Sequence, residues 1–244
     1  MHNWKNTLQR PMTPPVAMNL VLIFTLVVSL MLPAAAPAGE EAGQKSRAGT
    51  LNMSAEQILD QVEAIYTAAG FSADFVQAST IKAMEITDSA SGKLSVQYPG
   101  KMRWVYQSPE KQIIVSDGEH LWIYRPEDNQ VLRGMADAFF GDGKGAGFLS
   151  DIHKIREDFN ITLEDIRFGD FYSLMMEPRQ KTWDLVRINL LVSKENYHIT
   201  QVYTYNAYGD LTRIEFSNLE FNDAMDPSLF EFKMPANVDI LELE

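Results

Sequence analysis

The segment from residue 92 to residue 124 constrains the fold more than any other part of the chain. It holds four consecutive short runs rich in aromatic and β-branched residues. Apolar side chains alternate with polar ones at Leu94, Val96, Tyr98, Met102, Trp104 and Tyr106. Such alternation is typical of β-strands that bury one face, and Pro99-Gly100 and Asp117-Gly118 provide turn residues between them. The segment therefore predicts an antiparallel β-meander with almost no helix to cover it.

The rest of the chain extends this sheet and adds one helix in front of it. Ser54 to Gln57 matches a capping box, and an apolar stripe then continues to Gly70, which predicts an amphipathic helix. Strands are predicted at 71–87, 92–98, 102–107, 112–116, 121–125, 130–133, 159–166, 171–177, 185–193, 198–206, 210–218 and 229–233. The fold class is therefore mainly β (α+β), with an antiparallel sheet of about eleven strands.

A sheet of this size has more apolar inner surface than one helix covers, so something else must fill its concave side. The residues alone favour a barrel that its own side chains fill, as in small barrels generally. The alternative is a hydrophobic cavity for a ligand. Which face of the strands points inward stays open, because Ile113–Val115 and Leu121–Tyr124 are apolar on both faces.

Residues 135–155 separate the two sets of strands and have a different composition. Apolar residues flank the glycine-rich run 141–147, which predicts two short apolar helices joined by a pliable loop. An ordinary surface loop with a few anchoring aromatics is nearly as good an interpretation. If the segment is a lid over the sheet, its apolar contacts are expected from Phe139, Phe140, Phe148, Leu149 and Ile152.

The first 38 residues have the features of an export signal. Lys5 and Arg10 precede an apolar run from Leu20 to Leu32, and Ala36-Pro37-Ala38 matches a cleavage site. The run is shorter than the roughly 20 residues that span a bilayer, so a retained anchor is the weaker interpretation. We expect a signal peptide at 1–38, a flexible leader at 39–50 and a single domain at 51–244.

Composition limits the chemistry of the chain. It has no cysteine, which rules out disulfides, thiolate catalysis and lipid attachment at a cysteine after the signal. With 21 basic and 33 acidic residues, its formal charge of −12 disfavours binding to nucleic acid or anionic phospholipid. The histidines after the signal, His120, His153 and His198, are isolated, and no catalytic motif is present. No catalytic residue, metal site or cofactor is predicted.

Motifs between residues 92 and 131 resemble those of the LolA family, the soluble periplasmic carriers of outer-membrane lipoproteins. They are Gly92-Lys93-Leu94, Tyr98-Pro99-Gly100-Lys101-Met102-Arg103-Trp104, Pro109, Ser116-Asp117-Gly118 and Leu121-Trp122-Ile123-Tyr124. The family usually has an arginine before the first of these prolines, where this chain has Tyr98. In the family that arginine is associated with holding the lid shut over the empty cavity, so its role does not transfer to this chain.

The resemblance implies an incomplete antiparallel β-barrel, with an N-terminal helix and short lid helices covering a hydrophobic cavity for acyl chains. The expected cavity wall consists of Leu94, Val96, Tyr98, Met102, Trp104, Tyr106, Ile114 and Ile123. Implied partners are acylated lipoproteins, an ATP-driven inner-membrane release transporter and an outer-membrane receptor, and a periplasmic monomer is expected. The alternative is a lipid-binding or lipoprotein-sensing module of the same fold with a different cargo.

Overall fold

The computed structural model describes residues 53–140, 144–164, 169–180 and 182–243. The predicted signal peptide and leader lie outside these residues. Helix α1 (Ala55–Ala68) begins as predicted, because the Ser54 hydroxyl accepts a bond from the Gln57 amide at 3.2 Å. The Gln57 side chain accepts one in return from the Ser54 amide at 2.9 Å. Its apolar stripe is buried against the sheet through Ile58, Leu59, Val62 and Tyr66.

The described residues contain one sheet of twelve strands. The strands are β1 (Gly70–Ile81), β2 (Ile86–Gln97), β3 (Lys101–Ser108), β4 (Gln112–Asp117), β5 (His120–Arg125), β6 (Gln130–Met135), β7 (Phe159–Glu164), β8 (Phe171–Pro178), β9 (Arg187–Ser193), β10 (Ile199–Tyr205), β11 (Leu211–Asn222) and β12 (Asp239–Glu242). Their order is β12-β6-β5-β4-β3-β2-β1-β11-β10-β9-β8-β7. Neighbours are antiparallel except for β12 and β6, which are parallel.

Edge strands β12 and β7 each pair with a single neighbour in the described part of the chain. The sheet is therefore an open, incomplete antiparallel barrel, and the predicted fold class is confirmed. None of the described helices has the length and apolar character needed to span a bilayer.

The connection between β6 and β7, residues 136–158, is the segment that we call the lid. It consists of α2 (Ala136–Phe140), a 3-10 helix (Lys144–Leu149) and α3 (Lys154–Asp158). The sequence predicts two helices and a glycine loop here, whereas the structure has three short helical turns. Gly145 and Gly147 belong to the 3-10 helix rather than to a loop, and residues 141–143 of the predicted loop lie outside the described part.

Two strand predictions are wrong. Residues 71–87 form the hairpin of β1 and β2 instead of one strand, with a turn at 82–85 in which the Lys82 amide donates to Asp210 Oδ1 at 2.9 Å. This turn has no glycine, proline or asparagine, so its sequence carries no turn signal. Residues 229–233 are not a strand, because Asp226 and Pro227 begin a 3-10 helix (Pro227–Phe230).

The segment after β11 explains why β4 and β5 are apolar on both faces. It crosses the outer face of the sheet, where Phe230 and Val115 are buried. The Phe232 ring stacks on Trp122 with centroids 5.8 Å apart. Arg103 Nη1 donates to the Leu229 carbonyl at 3.2 Å and helps to hold the segment in place. Apolar residues from other parts of the chain therefore pack on both faces of β4 and β5.

Candidate functional site

Strand register places seven of the eight predicted wall residues on one face of the sheet, which we call the inner face. Residues directly opposite one another in a ladder share a face, and alternate residues of a strand do so too. Val96 lies opposite Met102, and Leu94 lies opposite Trp104. The same register links Trp104 to Ile114 and Ile114 to Ile123. The residues on the inner face are Leu94, Val96, Met102, Trp104, Tyr106, Ile114 and Ile123.

These side chains divide between two apolar clusters. Leu94, Val96, Met102 and Trp104 are at most 2% exposed and belong to the main cluster beneath α1. Tyr106 and Ile114 are half-buried against that cluster. Ile123 belongs to a smaller cluster with Leu121 and Ala136, and Ile114 also contacts it. The predicted wall is therefore continuous, but only part of it lies in the main core.

An aromatic group lies at the centre of the inner face. The Phe75 ring contacts Trp104 at 4.8 Å and Tyr106 at 5.0 Å between centroids, both edge to face. Phe216 lies beside Trp104 at 6.4 Å. Sequence reasoning missed Phe75 and Phe216, although the alternation of Phe71, Ala73 and Phe75 is the signal that would identify an inward face in β1.

Polar atoms within the aromatic group find partners. The Tyr106 hydroxyl donates to Gln77 Oε1 at 3.1 Å, and burial raises the pKa of this tyrosine to about 12. Trp104 Nε1 donates to the Met102 sulfur at 2.8 Å. The inner face is therefore neutral as well as apolar, which suits contact with hydrocarbon.

The lid packs directly on the inner face. Phe148, Leu149 and Ile152 are at most 3% exposed and belong to the same cluster as the predicted wall. Phe139 is half-buried against the smaller cluster, and the side chain of Phe140 lies outside the description. Side chains of the lid thus occupy the space in which the sequence predicts a cavity, and the structure is closed.

Tyr98 is the one predicted wall residue outside both clusters. It lies in the turn between β2 and β3, and its ring is nearly perpendicular to that of His153 in the lid, with centroids 5.5 Å apart. In the same turn, the Gly100 amide donates to the Ser150 carbonyl of the lid at 2.8 Å. Gly100 has a φ of 73°, and a Cβ there would lie 2.9 Å from Gly118 Cα, so this position requires glycine.

A cleft of about 530 Å³ marks the place where the lid meets the ends of the strands. The turns of β2–β3 and β4–β5 form one side, with Pro99, Lys101 and Asp117. Asp151 and Lys154 of the lid form part of the other side. The lining also includes Phe148 and Phe159 of the main cluster and Ala136 of the smaller one, so the cleft borders both apolar clusters.

An ion-pair cluster joins the lid to α1. Arg156 Nε lies 2.7 Å from Glu63 Oε1, and its two terminal nitrogens contact Glu56 and Asp60. The three carboxylates follow one another at spacings of four and three residues, so they lie on one face of α1. The hydrogen bond to Glu63 is the main cause of a raised pKa for the guanidinium. Sequence reasoning missed this cluster, for which the carboxylate spacing was the only signal.

No group of three or more histidine, aspartate or glutamate side chains in the described residues is arranged to hold a metal ion.

An open antiparallel sheet whose apolar inner face is closed by α1 and a lid defines a half-barrel with a covered interior. Residues 66–233 match the family model described as outer membrane lipoprotein carrier protein LolA. An outer-membrane lipoprotein carrier protein from Nitrosospira multiformis is 32% identical over 169 residues, which are 69% of this chain and 80% of that protein. One from Chromobacterium violaceum is 33% identical over 172 residues, 70% of this chain and 80% of that protein. The chain belongs to the LolA family.

A solved structure supports the fold alone. An uncharacterized conserved protein from Thermus thermophilus has a TM-score of 0.51 and 13% identity, covering 78% of this chain and 99% of that one.

Proposed function

We propose that the protein carries acylated lipoproteins from the inner to the outer membrane, with their acyl chains held between the inner face and the lid. The observation that carries this proposal is the main apolar cluster, in which the lid supplies Phe148, Leu149 and Ile152 and the sheet supplies the wall. Acyl chains take the place of the lid side chains when cargo is bound. In the structure the lid side chains are packed in the main cluster, which is the arrangement that cargo would displace.

The energetics of this exchange suit a carrier. Moving the three lid side chains into water costs roughly 2 kcal/mol each, whereas an acyl chain gains about 0.8 kcal/mol per methylene that leaves water. Cargo burial therefore offsets lid opening and leaves a net affinity well below that of several chains in a bilayer. A carrier needs this intermediate affinity, since it must also release its cargo.

The proposed location and partners follow from the same function. We place the protein in the periplasm, where signal peptide 1–38 would deliver it as one domain, 51–244, that acts as a monomer. An ATP-driven inner-membrane transporter loads it, because extraction of acyl chains from a bilayer needs an energy source. A receptor at the outer membrane accepts the cargo. Without Lys5 and Arg10 of the signal peptide, 19 basic and 33 acidic residues remain, and the resulting charge of −14 limits adsorption of the free carrier to anionic phospholipid.

A release assay tests the proposal. The chain from Gly39 onward is added to inner-membrane vesicles that contain a newly acylated lipoprotein, the transporter and ATP. We expect the lipoprotein to appear in the soluble fraction as a complex with the carrier, and omission of ATP to abolish this.

The carrier from Nitrosospira multiformis serves as the positive control on the same vesicles. If that protein releases the lipoprotein and this chain leaves it membrane-bound, the carrier function is wrong. If this chain does release material, native mass spectrometry of the soluble complex distinguishes a lipoprotein cargo from a free lipid.

A further inference from the structure

We propose that Arg156 is the positioning residue that holds the lid closed on α1 in the empty protein. This role depends on the proposed carrier function, because a lid that opens matters only if the interior receives cargo. The proposal concerns the ion-pair cluster of Arg156 with Glu56, Asp60 and Glu63, which we call the clasp.

The clasp joins two separate covering elements. Helix α1 precedes the sheet in the chain, whereas the lid lies between β6 and β7, so Arg156 and Glu63 are 93 residues apart in sequence. Both elements bury apolar side chains in the same cluster, among them Val62 in α1 and Ile155 in the lid. Ile155 is buried in this cluster, and the next residue, Arg156, has its guanidinium against the carboxylates of α1.

Exposure indicates which pair matters most. The Glu63 side chain is 15% exposed and that of Arg156 is 32% exposed, so this pair is partly shielded from water. Glu56 and Asp60 are 66% and 62% exposed, and pairs of that kind contribute little. They have a second effect, since without Arg156 three neighbouring carboxylates would repel one another and the lid would lose its attraction to α1.

Other charges near the clasp do not replace Arg156. Lys154 pairs with Asp137 inside the lid at 2.9 Å, so it does not link the lid to α1. His153 Nδ1 lies 3.9 Å from Glu63, a weaker contact than that of Arg156. The same His153 ring also contacts the Tyr98 ring, which brings no charge. The Arg179 guanidinium lies nearby, but it donates to the Asn160 side chain at 2.8 Å and to the Arg156 carbonyl at 3.5 Å. Among the ion pairs of the described residues, the clasp therefore gives the closest contacts between the lid and α1.

The clasp is also suited to open. None of its members is fully buried, so their charges regain water when the lid moves. The cost of separating them therefore stays small compared with that of a fully buried pair. The apolar contacts of the lid set most of the closing energy, and the clasp adds a directional restraint that fixes where the lid rests.

Hydrogen exchange of two backbone amides measures this restraint without cargo. The Gly100 amide is bonded to the Ser150 carbonyl of the lid, so its protection reports lid closure. The Ile199 amide is bonded to the Tyr66 hydroxyl at 2.9 Å, so its protection reports that α1 remains docked. For Arg156→Gln we expect exchange at Gly100 to become about tenfold faster and exchange at Ile199 to stay unchanged.

Three further variants complete the experiment. Glu63→Gln is expected to act like Arg156→Gln, whereas Arg156→Lys keeps the charge and should show a smaller effect. Arg213→Gln is the matched control, because it removes an arginine of β11 that pairs with Glu215 at 3.5 Å and lies opposite Ala78 in the ladder with β1. This control should leave exchange at Gly100 unchanged.

Two results would overturn the proposal. In one, Arg156→Gln leaves exchange at Gly100 within twofold of the native rate, and the pairs contribute nothing to closure. In the other, Gly100 and Ile199 accelerate equally, which indicates general destabilisation. Both readouts are independent of cargo, so a failed release assay would refute the carrier function without affecting this result.

Discussion

Met102 shows how one side chain serves both the core and the proposed cargo site. It is fully buried beneath the lid, opposite Val96 on the inner face, and its sulfur accepts a bond from Trp104. A flexible thioether adapts to neighbours of irregular shape. The same residue therefore packs against the lid in the empty protein and would contact acyl chains in the loaded one.

A charge at Met102 is expected to destabilise the whole domain. Met102→Glu buries a carboxylate without a partner, and we expect the free energy of unfolding to fall by about 3 kcal/mol or more. Met102→Leu keeps the volume and should cost less than about 1.5 kcal/mol. Urea denaturation followed by fluorescence measures both. Equal stability of the two variants would show that position 102 is accessible to water in the native protein.

His198 gives the fold a dependence on pH. Burial lowers the pKa of its ring, which lies 4.9 Å from the Phe221 ring. The native state therefore binds a proton less readily than the unfolded chain, whose histidine titrates near pH 6.5. We expect the free energy of unfolding to fall as the pH drops through this value towards the lower pKa of the folded state. In His198→Gln this part of the pH dependence should be absent. If His198→Gln kept the native dependence of the free energy of unfolding on pH, other groups would be its cause.

At the level of single residues, alternation predicted which residues share a face of the sheet but not which face points inward. Val115 and Trp122 look as apolar as Ile114 and Ile123, and only contact with the distant Phe230 and Phe232 distinguishes the two faces. Local sequence patterns carry no information about such long-range contacts. The same limit explains why the partners of Arg156 could not be predicted.

Among the elements, the β2–β3 pair depends on a close approach at Gly92. The register shifts between Ser91 and Gly92, and a Cβ on Gly92 would lie 2.0 Å from the Val105 carbonyl oxygen. It would also lie 3.0 Å from the Phe75 ring. The glycine thus permits both the bulge and the packing of the aromatic group against it.

Gly92→Ala is accordingly expected to lower the free energy of unfolding by about 2–3 kcal/mol, as overpacking does elsewhere. Gly169→Ala is the matched control, because nothing lies within 4 Å of the position that its Cβ would take. Thermal unfolding of both variants measures the difference. If the two variants have the same melting temperature, β2 and β3 can separate enough to accept a methyl group without a loss of stability.

Helices and strands were predictable where the sequence contains capping residues or turn residues. Ser54 and Gln57 fixed the start of α1, and Gly118 marked the turn between β4 and β5. The turn at 82–85 was missed because a tertiary contact with Asp210 stabilises it instead of a turn residue. In the lid, glycine suggested a loop, whereas packing of Phe148 and Leu149 into the core gives a 3-10 helix.

For the molecule as a whole, the closed position of the lid predicts that cargo cannot enter when the lid is cross-linked to the β2–β3 turn. The chain has no cysteine, so Tyr98→Cys and His153→Cys introduce the only thiols at a site where the native rings are 5.5 Å apart. A short, cleavable bismaleimide across them is expected to abolish lipoprotein release from vesicles, and cleavage is expected to restore it. Either single variant treated in the same way should remain active. Unimpaired release by the cross-linked protein would mean that cargo enters by another route.

The open-barrel architecture itself was expected mainly from the family resemblance. The number and spacing of strands are compatible with a closed barrel too, because strand patterns do not reveal whether the first and last strands meet. The parallel strand β12 was not predicted, since Asp239–Glu242 is short and exposed along its length.

Strand β12 has a consequence for how the protein matures. It pairs with β6, more than a hundred residues earlier, and Leu243 beyond it packs on the smaller apolar cluster. Before β12 docks, β6 has unpaired backbone N–H and C=O groups along one side, and the smaller apolar cluster lacks the cover of Leu243. An unpaired strand edge is a template for pairing with another chain. The folding intermediate without docked β12 is therefore the form most vulnerable to mispairing.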